Sequence, residues 1–383
     1  MFGAGAFGGW TALELVRRGA RVTLMDAWGP GHARASSGGE TRVIRATYGP
    51  RGIYTRMAVR ARELWRANEA RWNHGLLHET GVLWMFAGDR AFARASVAAL
   101  QSNGVAIDEL TIAAAQKRFP QIAFSGLSSV LFEPAAGYVL ARRACEYVAA
   151  RVVAEGGEYR HAAAVTPVSL DLDRTTARRV ALHDGTWFEA DAFVFAGGPW
   201  LGTMFPDAIG SLVTPTRQEV YYFGTPPGDT QHLDPCLPVW IDVGQRVTYG
   251  IPGNLHRGFK VADDTSGPVF DPTTGEREAT PAGVVAARAF VAHRFPALRS
   301  APLVGVEVCQ YESTPDADFI VDRHPSASNV WLAGGGSGHG FKMGPAIGEH
   351  VASLVLGTAA PDPHFALARL SAPPPGGWPS KWT

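Results

Sequence analysis

Cysteine is scarce: the 383 residues contain 3, Cys145, Cys236 and Cys309, far apart and without a C-x-x-C pair. An odd, scattered set excludes a disulfide framework or zinc knuckle, so no metal is expected and a reducing cytoplasm is the expected setting. Excess charge of either sign is also missing, because Lys+Arg and Asp+Glu both stand at 35 and cancel. A nucleic-acid or anionic-membrane partner needs a concentrated basic face, so neither is expected. No apolar run approaches the ~18 residues of a membrane span, and no basic segment leads into an apolar one at the start. What remains is a hydrophobic fraction of 46% against 18% charged, the composition of a globular protein with a large core. The length corresponds to roughly two domains, and no internal repeat is visible.

The chain opens MFGAGAFGGW, so Gly3, Gly5 and Gly8 form G-x-G-x-x-G. A helical run from Thr11 to Arg18 follows, then Gly19 and a strand from Ala20 to Met25 that ends at Asp26. Glycines there allow a tight turn and bring a pyrophosphate onto a helix N-terminus, while the terminal acid meets ribose hydroxyls. The pattern alone is weak; the ordered glycines, helix, strand and acid make a dinucleotide site the expectation. A first strand of ~5 residues should precede Gly3. Only Met1 and Phe2 do so, and a gap at the sheet centre that weakens the site is expected.

Farther along, helices are expected at Tyr54 to Asn73, Asp89 to Asn103, Thr111 to Phe119, Ala141 to Gly156 and Gly283 to Phe295. A buried strand is expected at Gly81 to Phe86, and strand and turn at Val130 to Leu140. Short strands at Val180 to His183 and Trp187 to Phe195 lead into the glycine turn AGGPW. EVYYF, PVWIDV and RVTYGIP, between Val213 and Lys260, read as an antiparallel sheet. Near the end, the strand Val330 to Ala333, a glycine-dense loop and a helix opening at Gly344-Pro345 present free N–H groups suited to an anionic ligand. The tail after Gly357, with PPPGGWP, reads as an extended surface arm. The expected class is α/β: a Rossmann-like domain (1–80, 138–212 and 301–383) interleaved with an antiparallel-sheet substrate domain (81–137 and 213–300).

Taken in order, GAGAFG, GETRVIRATYG, TGVLWMF, FEPAAGYVL, AGGPW, TPTRQEVYYF, YGIP, GFK, CQYESTPDADFIVDRHP and GGGSGHGFKMGPAIGE span nearly the whole chain. This series resembles the monomeric sarcosine oxidase and N-methyl amino acid oxidase family, FAD flavoproteins of the broader D-amino-acid-oxidase type. The resemblance implies an oxidase of a secondary amino acid that uses O2, makes hydrogen peroxide and acts as a monomer. It implies covalent flavin on Cys309, whereas a free cysteine taken alone is usually a small core residue. The flavin set that it carries over is Gly3, Gly5, Ala6, Phe7, Gly8, Asp26, Arg34, Ser37, Thr41, Arg42, Ala196, Gly197, Trp200, Gly336, Gly338, His339, Gly340 and Lys342.

Arg45 and Lys342 match the residues that hold the substrate carboxylate, a task for which paired cations are suited. A surface ion pair and a solvated loop charge are their ordinary alternatives. Lys260 matches a lysine that activates oxygen by a fixed positive charge, against the alternative of an exposed strand lysine. Tyr249 and Tyr311 match pocket-lining tyrosines, with core burial as the alternative. Two positions depart from the family: Asp264 stands where it has a histidine, and Trp240 where it has a pocket methionine. Asp264 is expected to favour a substrate with an added cationic or hydroxyl group, and Trp240 to reshape the pocket. Other readings are a same-fold dehydrogenase, an oxidase of a cyclic or fructosyl amino acid, and a flavin-free non-catalytic protein.

Overall fold

The computed structural model describes residues 1–371. Its first sheet is mainly parallel. Strand Thr23–Asp26 pairs with Glu158–His161, and Phe193–Phe195 pairs with Ala327–Gly334, both in parallel, while Ile320–His324 runs antiparallel at the edge. The expected gap between the two halves is closed by Met1 to Gly3. Phe2 bridges Met25 on one side and Phe195 on the other. Gly3 N–H donates to the Met25 carbonyl at 2.7 Å, Phe2 N–H to the Val194 carbonyl at 2.9 Å and Ala196 N–H to the Phe2 carbonyl at 2.8 Å. A central strand needs only enough residues to pair on both sides at the level of the glycine turn, and these provide them.

Immediately after this stub the chain turns into helix Ala6–Arg17. The helix starts earlier than the expected Thr11, because the glycine-rich segment is itself its first turn. Gly3 has φ +99, and a Cβ there would lie 2.2 Å from the Ala196 carbonyl oxygen. At Gly8 a Cβ would meet the Gly3 oxygen at 1.8 Å. Both contacts forbid a side chain, so the turn is bound to glycine by close backbone approach. Helices Gly52–Trp72 and Gly344–Val355 pack with it around Trp10, Trp65 and Trp72, all buried. Trp65 is fully buried and its Nε1 donates to the Lys342 carbonyl at 3.1 Å. Truncation to alanine would remove about 3–5 kcal/mol and loosen the loop that carries Lys342.

An eight-stranded sheet covers the other face of the site, in the order Leu303–Ser313, Thr214–Phe223, Phe259–Asp263, Val247–Ile251, Val239–Val243, Val82–Phe86, Ser129–Glu133, Asp108–Leu110. The antiparallel material expected between Val213 and Lys260 forms its middle. Strand Leu303–Ser313, which the sequence reading leaves without an assignment, pairs along its whole length with Thr214–Phe223. Alternation along it sends Cys309 and Tyr311 one way and Gln310 and Glu312 the other. The helices lie within a few residues of expectation, at Ala91–Ser102, Ile112–Arg118, Ala141–Ala154 and Pro281–Arg294.

The tail departs from the extended arm. Short turns at Pro363–Phe365 and Leu367–Leu370 bury Phe365 and Leu370, and Arg369 pairs with Asp316 at 2.7 Å. Apolar side chains that find a core cannot remain in an extended surface strand. The PPPGGWP stretch lies outside the described residues. Among the described residues no helix is long and apolar enough to cross a membrane.

Candidate active site

A cavity of about 560 Å³ runs between the two sheets, from the glycine turn and Asp26 to Arg45 and Lys342. At the first end Gly3, Gly5, Ala6, Phe7 and Ser37 form the wall. A Cβ on Gly5 would stand 3.3 Å from Ser37 Oγ, so the missing side chain leaves space at the start of the helix. Ser37 Oγ accepts from the Ala6 N–H at 3.1 Å and pins the opposite loop to that terminus. Asp26 is held at the strand end by N–H donors from Ala4, Trp28 and Gly29 at 2.7–2.8 Å. This is the arrangement expected of a dinucleotide end.

The far end is cationic. Arg45 and Lys342 are both buried, and Tyr48 lies between them. The Arg45 guanidinium stacks over the Tyr48 ring at 4.3 Å and Trp84 at 5.0 Å, and donates to the Thr47 carbonyl. Lys342 Nζ donates to the Tyr48 hydroxyl at 3.0 Å and to the His339 carbonyl at 2.8 Å. His339 Nε2 is 2.9 Å from the Ala317 carbonyl, which can only accept, so a neutral ring carries its proton there. Nδ1, 3.3 Å from the Tyr48 oxygen, then accepts. Burial pushes the Tyr48 phenol up to about 12, against the pull of Arg45 and Arg51, so it keeps the proton that this relay needs.

Behind Arg45 stands a fully buried carboxylate. Glu133 accepts from the Ala46 N–H at 2.8 Å and the Thr47 hydroxyl at 2.7 Å, with Arg62 at 3.6 Å. Neither Tyr48 nor Glu133 was singled out by sequence. Both lie in matched stretches, GETRVIRATYG and FEPAAGYVL, but act through partners remote in sequence.

On the third wall the Tyr311 hydroxyl donates to Asp264 Oδ1 at 2.6 Å, and Tyr249 hydrogen-bonds Tyr311. Burial raises both phenols, with Asp264 adding to the rise, so both stay neutral donors. Cys309 is buried beside Arg42, whose Nη2 lies 3.2 Å from the sulfur. Lys260 is fully buried; its Nζ donates to the Thr41 carbonyl at 2.9 Å. Burial and then Arg42 depress its pKa to about 7, with Glu307 opposing.

Residues 2–354 match the DAO family model, described as FAD dependent oxidoreductase. The chain belongs to this family. It is 30% identical over 361 residues to the monomeric sarcosine oxidase of Bacillus sp. (strain B-0618), covering 92% of this chain and 90% of that one. To the N-methyl-L-tryptophan oxidase of Salmonella newport (strain SL254) it is 26% identical over 363 residues, 93% and 94% of the two chains. Among solved structures, L-proline dehydrogenase from P. horikoshii superposes with a TM-score of 0.84 at 20% identity, over 99% of this chain and 98% of that one, a likeness of fold.

This FAD-dependent oxidoreductase has a cavity that fits its cofactor. The space left by Gly5 suits a diphosphate at the helix N-terminus, and Ala196, Gly197, Trp200, Gly336, Gly338 and Gly340 line the middle. Of the other residues expected here, Arg42, Arg45, Tyr249, Asp264, Tyr311, His339 and Lys342 also reach the cavity. Gly8, Arg34, Thr41, Lys260 and Cys309 are not themselves among the residues that line it. Arg34 stacks on Trp28 at 4.6 Å, Thr41 supplies the carbonyl for Lys260, and Cys309 sits against Arg42.

Trp240 is a correction. It is fully buried among Phe259, Phe290 and Phe295 on the far face of its strand, and its neighbour Ile241 lines the cavity instead. Side chains alternate along a strand, so a one-residue step exchanges pocket for core. Among the described residues no cluster of His, Cys, Asp or Glu could hold a metal.

Proposed function

We propose that this oxidoreductase oxidises the carbon–nitrogen bond of an N-methyl or related secondary amino acid, with O2 as final acceptor and hydrogen peroxide as product. The observation that carries the reading is the pair of buried cations, Arg45 and Lys342, facing one cavity end from either side of Tyr48. A substrate carboxylate placed between them receives a planar fork and a point charge. The positive field also disfavours an ammonium, so the amine binds in the neutral form that can lose electrons. Tyr249 and Tyr311, kept neutral by burial, face the amine end with Asp264 behind them, while Ile241 and Val247 exclude water. Bound FAD supplies the two-electron acceptor; the substrate leaves as an imine that water hydrolyses to amine plus carbonyl. A protonated Lys260 provides the fixed positive charge that favours oxygen reduction.

We further propose that the cofactor is covalently joined through Cys309, that the chain is a cytoplasmic monomer, and that the two interleaved domains have the boundaries given above, with strand Leu303–Ser313 counted with the substrate domain whose sheet it joins. The names of the sarcosine and N-methyltryptophan oxidases support the substrate class. Acid precipitation tests the tether: yellow colour staying with the pellet and lost in Cys309→Ser is expected, and a colourless pellet from the parent refutes it. A panel of sarcosine, N-methyl, cyclic and fructosyl amino acids, read as peroxide in air, tests the reaction. Turnover with an artificial electron carrier but no peroxide in air would instead favour the dehydrogenase reading.

A further inference from the structure

We infer that Glu312 is a cofactor-positioning residue whose carboxyl takes a hydroxyl of the FAD ribityl chain. The inference rests on FAD occupying the cavity described above. Glu312 lines that cavity, yet its Oε2 is buried and has no hydrogen-bond partner. The other oxygen faces the loop of the C-terminal sheet, where the Gly336 N–H donates to the carboxyl. Glycines surround the group: a Cβ on Gly336 would lie 2.9 Å from Oε1, and one on Gly198 would lie 3.5 Å from Oε2. The fold therefore brings bare backbone from two glycine turns against a carboxyl and leaves one of its oxygens unsatisfied. An orphaned buried acceptor costs about as much as a lost hydrogen bond, so a site that keeps one is poised for a ligand donor.

Position along the cavity narrows the donor. Alternation on strand Leu303–Ser313 turns Glu312 away from the face shared by Cys309 and Tyr311, where the proposed tether and substrate pocket lie. It is also distinct from the Gly5–Ser37 end, where a carboxylate beside a diphosphate would be repelled. Between an isoalloxazine ring and a diphosphate, the donors FAD offers are the ribityl hydroxyls. Burial pushes the Glu312 carboxyl up to about 7, and no cation offsets it. In either protonation state it can accept from a hydroxyl, and in the neutral state it can also donate.

The test uses the full-length Cys309→Ser protein, in which FAD is exchangeable, and follows quenching of flavin fluorescence. FAD is compared with analogues lacking the 2′, 3′ or 4′ ribityl hydroxyl. The parent is expected to prefer FAD over one of these analogues by about tenfold. Glu312→Ala should reduce that preference to about twofold or less, while Glu312→Gln, which keeps an acceptor, should retain most of it. If Glu312→Ala discriminates as the parent does, or the parent ignores every deletion, the assignment to Glu312 is overturned while FAD binding stands. A parent that binds no FAD overturns the cofactor reading as well. Far-ultraviolet circular dichroism establishes that the variants are folded; should Glu312→Ala fail to fold, Glu312→Leu gives the same comparison.

Discussion

Replacing Lys342 by methionine separates a carboxylate clamp from a merely structural lysine. Nζ makes two hydrogen bonds inside the protein, to Tyr48 and the His339 carbonyl. Losing them leaves two acceptors short, about 1 kcal/mol each. Against this, the substitution removes a buried ammonium whose desolvation costs several kcal/mol, and methionine refills the stem volume. The two effects nearly cancel, so thermal stability should change by no more than about 2 kcal/mol. Substrate binding has no such compensation. A charge-assisted contact to the carboxylate contributes about 1.5–3 kcal/mol, so kcat/KM for the amino acid should fall about 10- to 150-fold. The decisive assay compares each amino acid with its neutral carboxamide under anaerobic conditions, following cofactor reduction. Wild type should strongly prefer the acid, and Lys342→Met should lose most of that preference. An equal loss for acid and carboxamide would refute the clamp, because a general distortion ignores the charge of the substrate.

Lys260→Met should leave anaerobic substrate oxidation nearly intact and slow reoxidation by O2 at least about tenfold, as measured by stopped flow. Since the lysine is protonated below about 7, the wild-type oxygen step should fall as pH rises through that value, and the variant should lack this dependence. Its folded value lies below the ordinary 10.5, so the unfolded chain holds the extra proton between the two, and this residue's contribution to stability rises from about pH 7 to 10.5. Glu133→Gln should raise KM and lower stability by about 2–4 kcal/mol, because Arg62 loses its buried partner and the Arg45 segment its anchor. Asp264→His should reorder the substrate panel toward simpler N-methyl amino acids; an unchanged ranking would show that Asp264 does not select substrate.

The glycine turn, its helix and the strand that ends at Asp26 were legible because their constraints are local. Gly3, Gly5, Gly8 and Asp26 lie within one turn-helix-strand unit, and close backbone contacts admit nothing but glycine at two of those positions. The strongly apolar strands Val82–Phe86 and Val239–Val243 were legible for the same reason. Short strands such as Glu158–His161 and Leu170–Asp173 were missed; they are held by pairing at exposed edges, the first carries no apolar alternation, and the second alternates over only four residues. The error at Trp240 has a different origin. A strand assignment identifies both faces, but only the second layer reveals which one meets the cavity, and Phe259, Phe290 and Phe295 claim that side. Tyr48 was hidden because its contact with Lys342 joins residues 294 apart.

The site's electrostatics also bear on why so many ionisable groups remain buried together. Arg45, Lys260 and Lys342 all lie in the interior, and the depressed pKa of Lys260 registers the cost of adding another positive charge beside Arg42. Internal carbonyls and the Tyr48 phenol orient these cations. Glu133 and Asp264 supply negative charge at the rear and on a side wall, so cations and carboxylates share the buried end. An anion that enters beside Arg45 and Lys342 gains a charge-assisted contact to each. Ligand binding should therefore stabilise the fold more for carboxylate-bearing compounds than for their neutral isosteres, by RT ln(1 + [L]/Kd) in each case. The clamp that selects substrate is thus also an unspent source of stability within the fold.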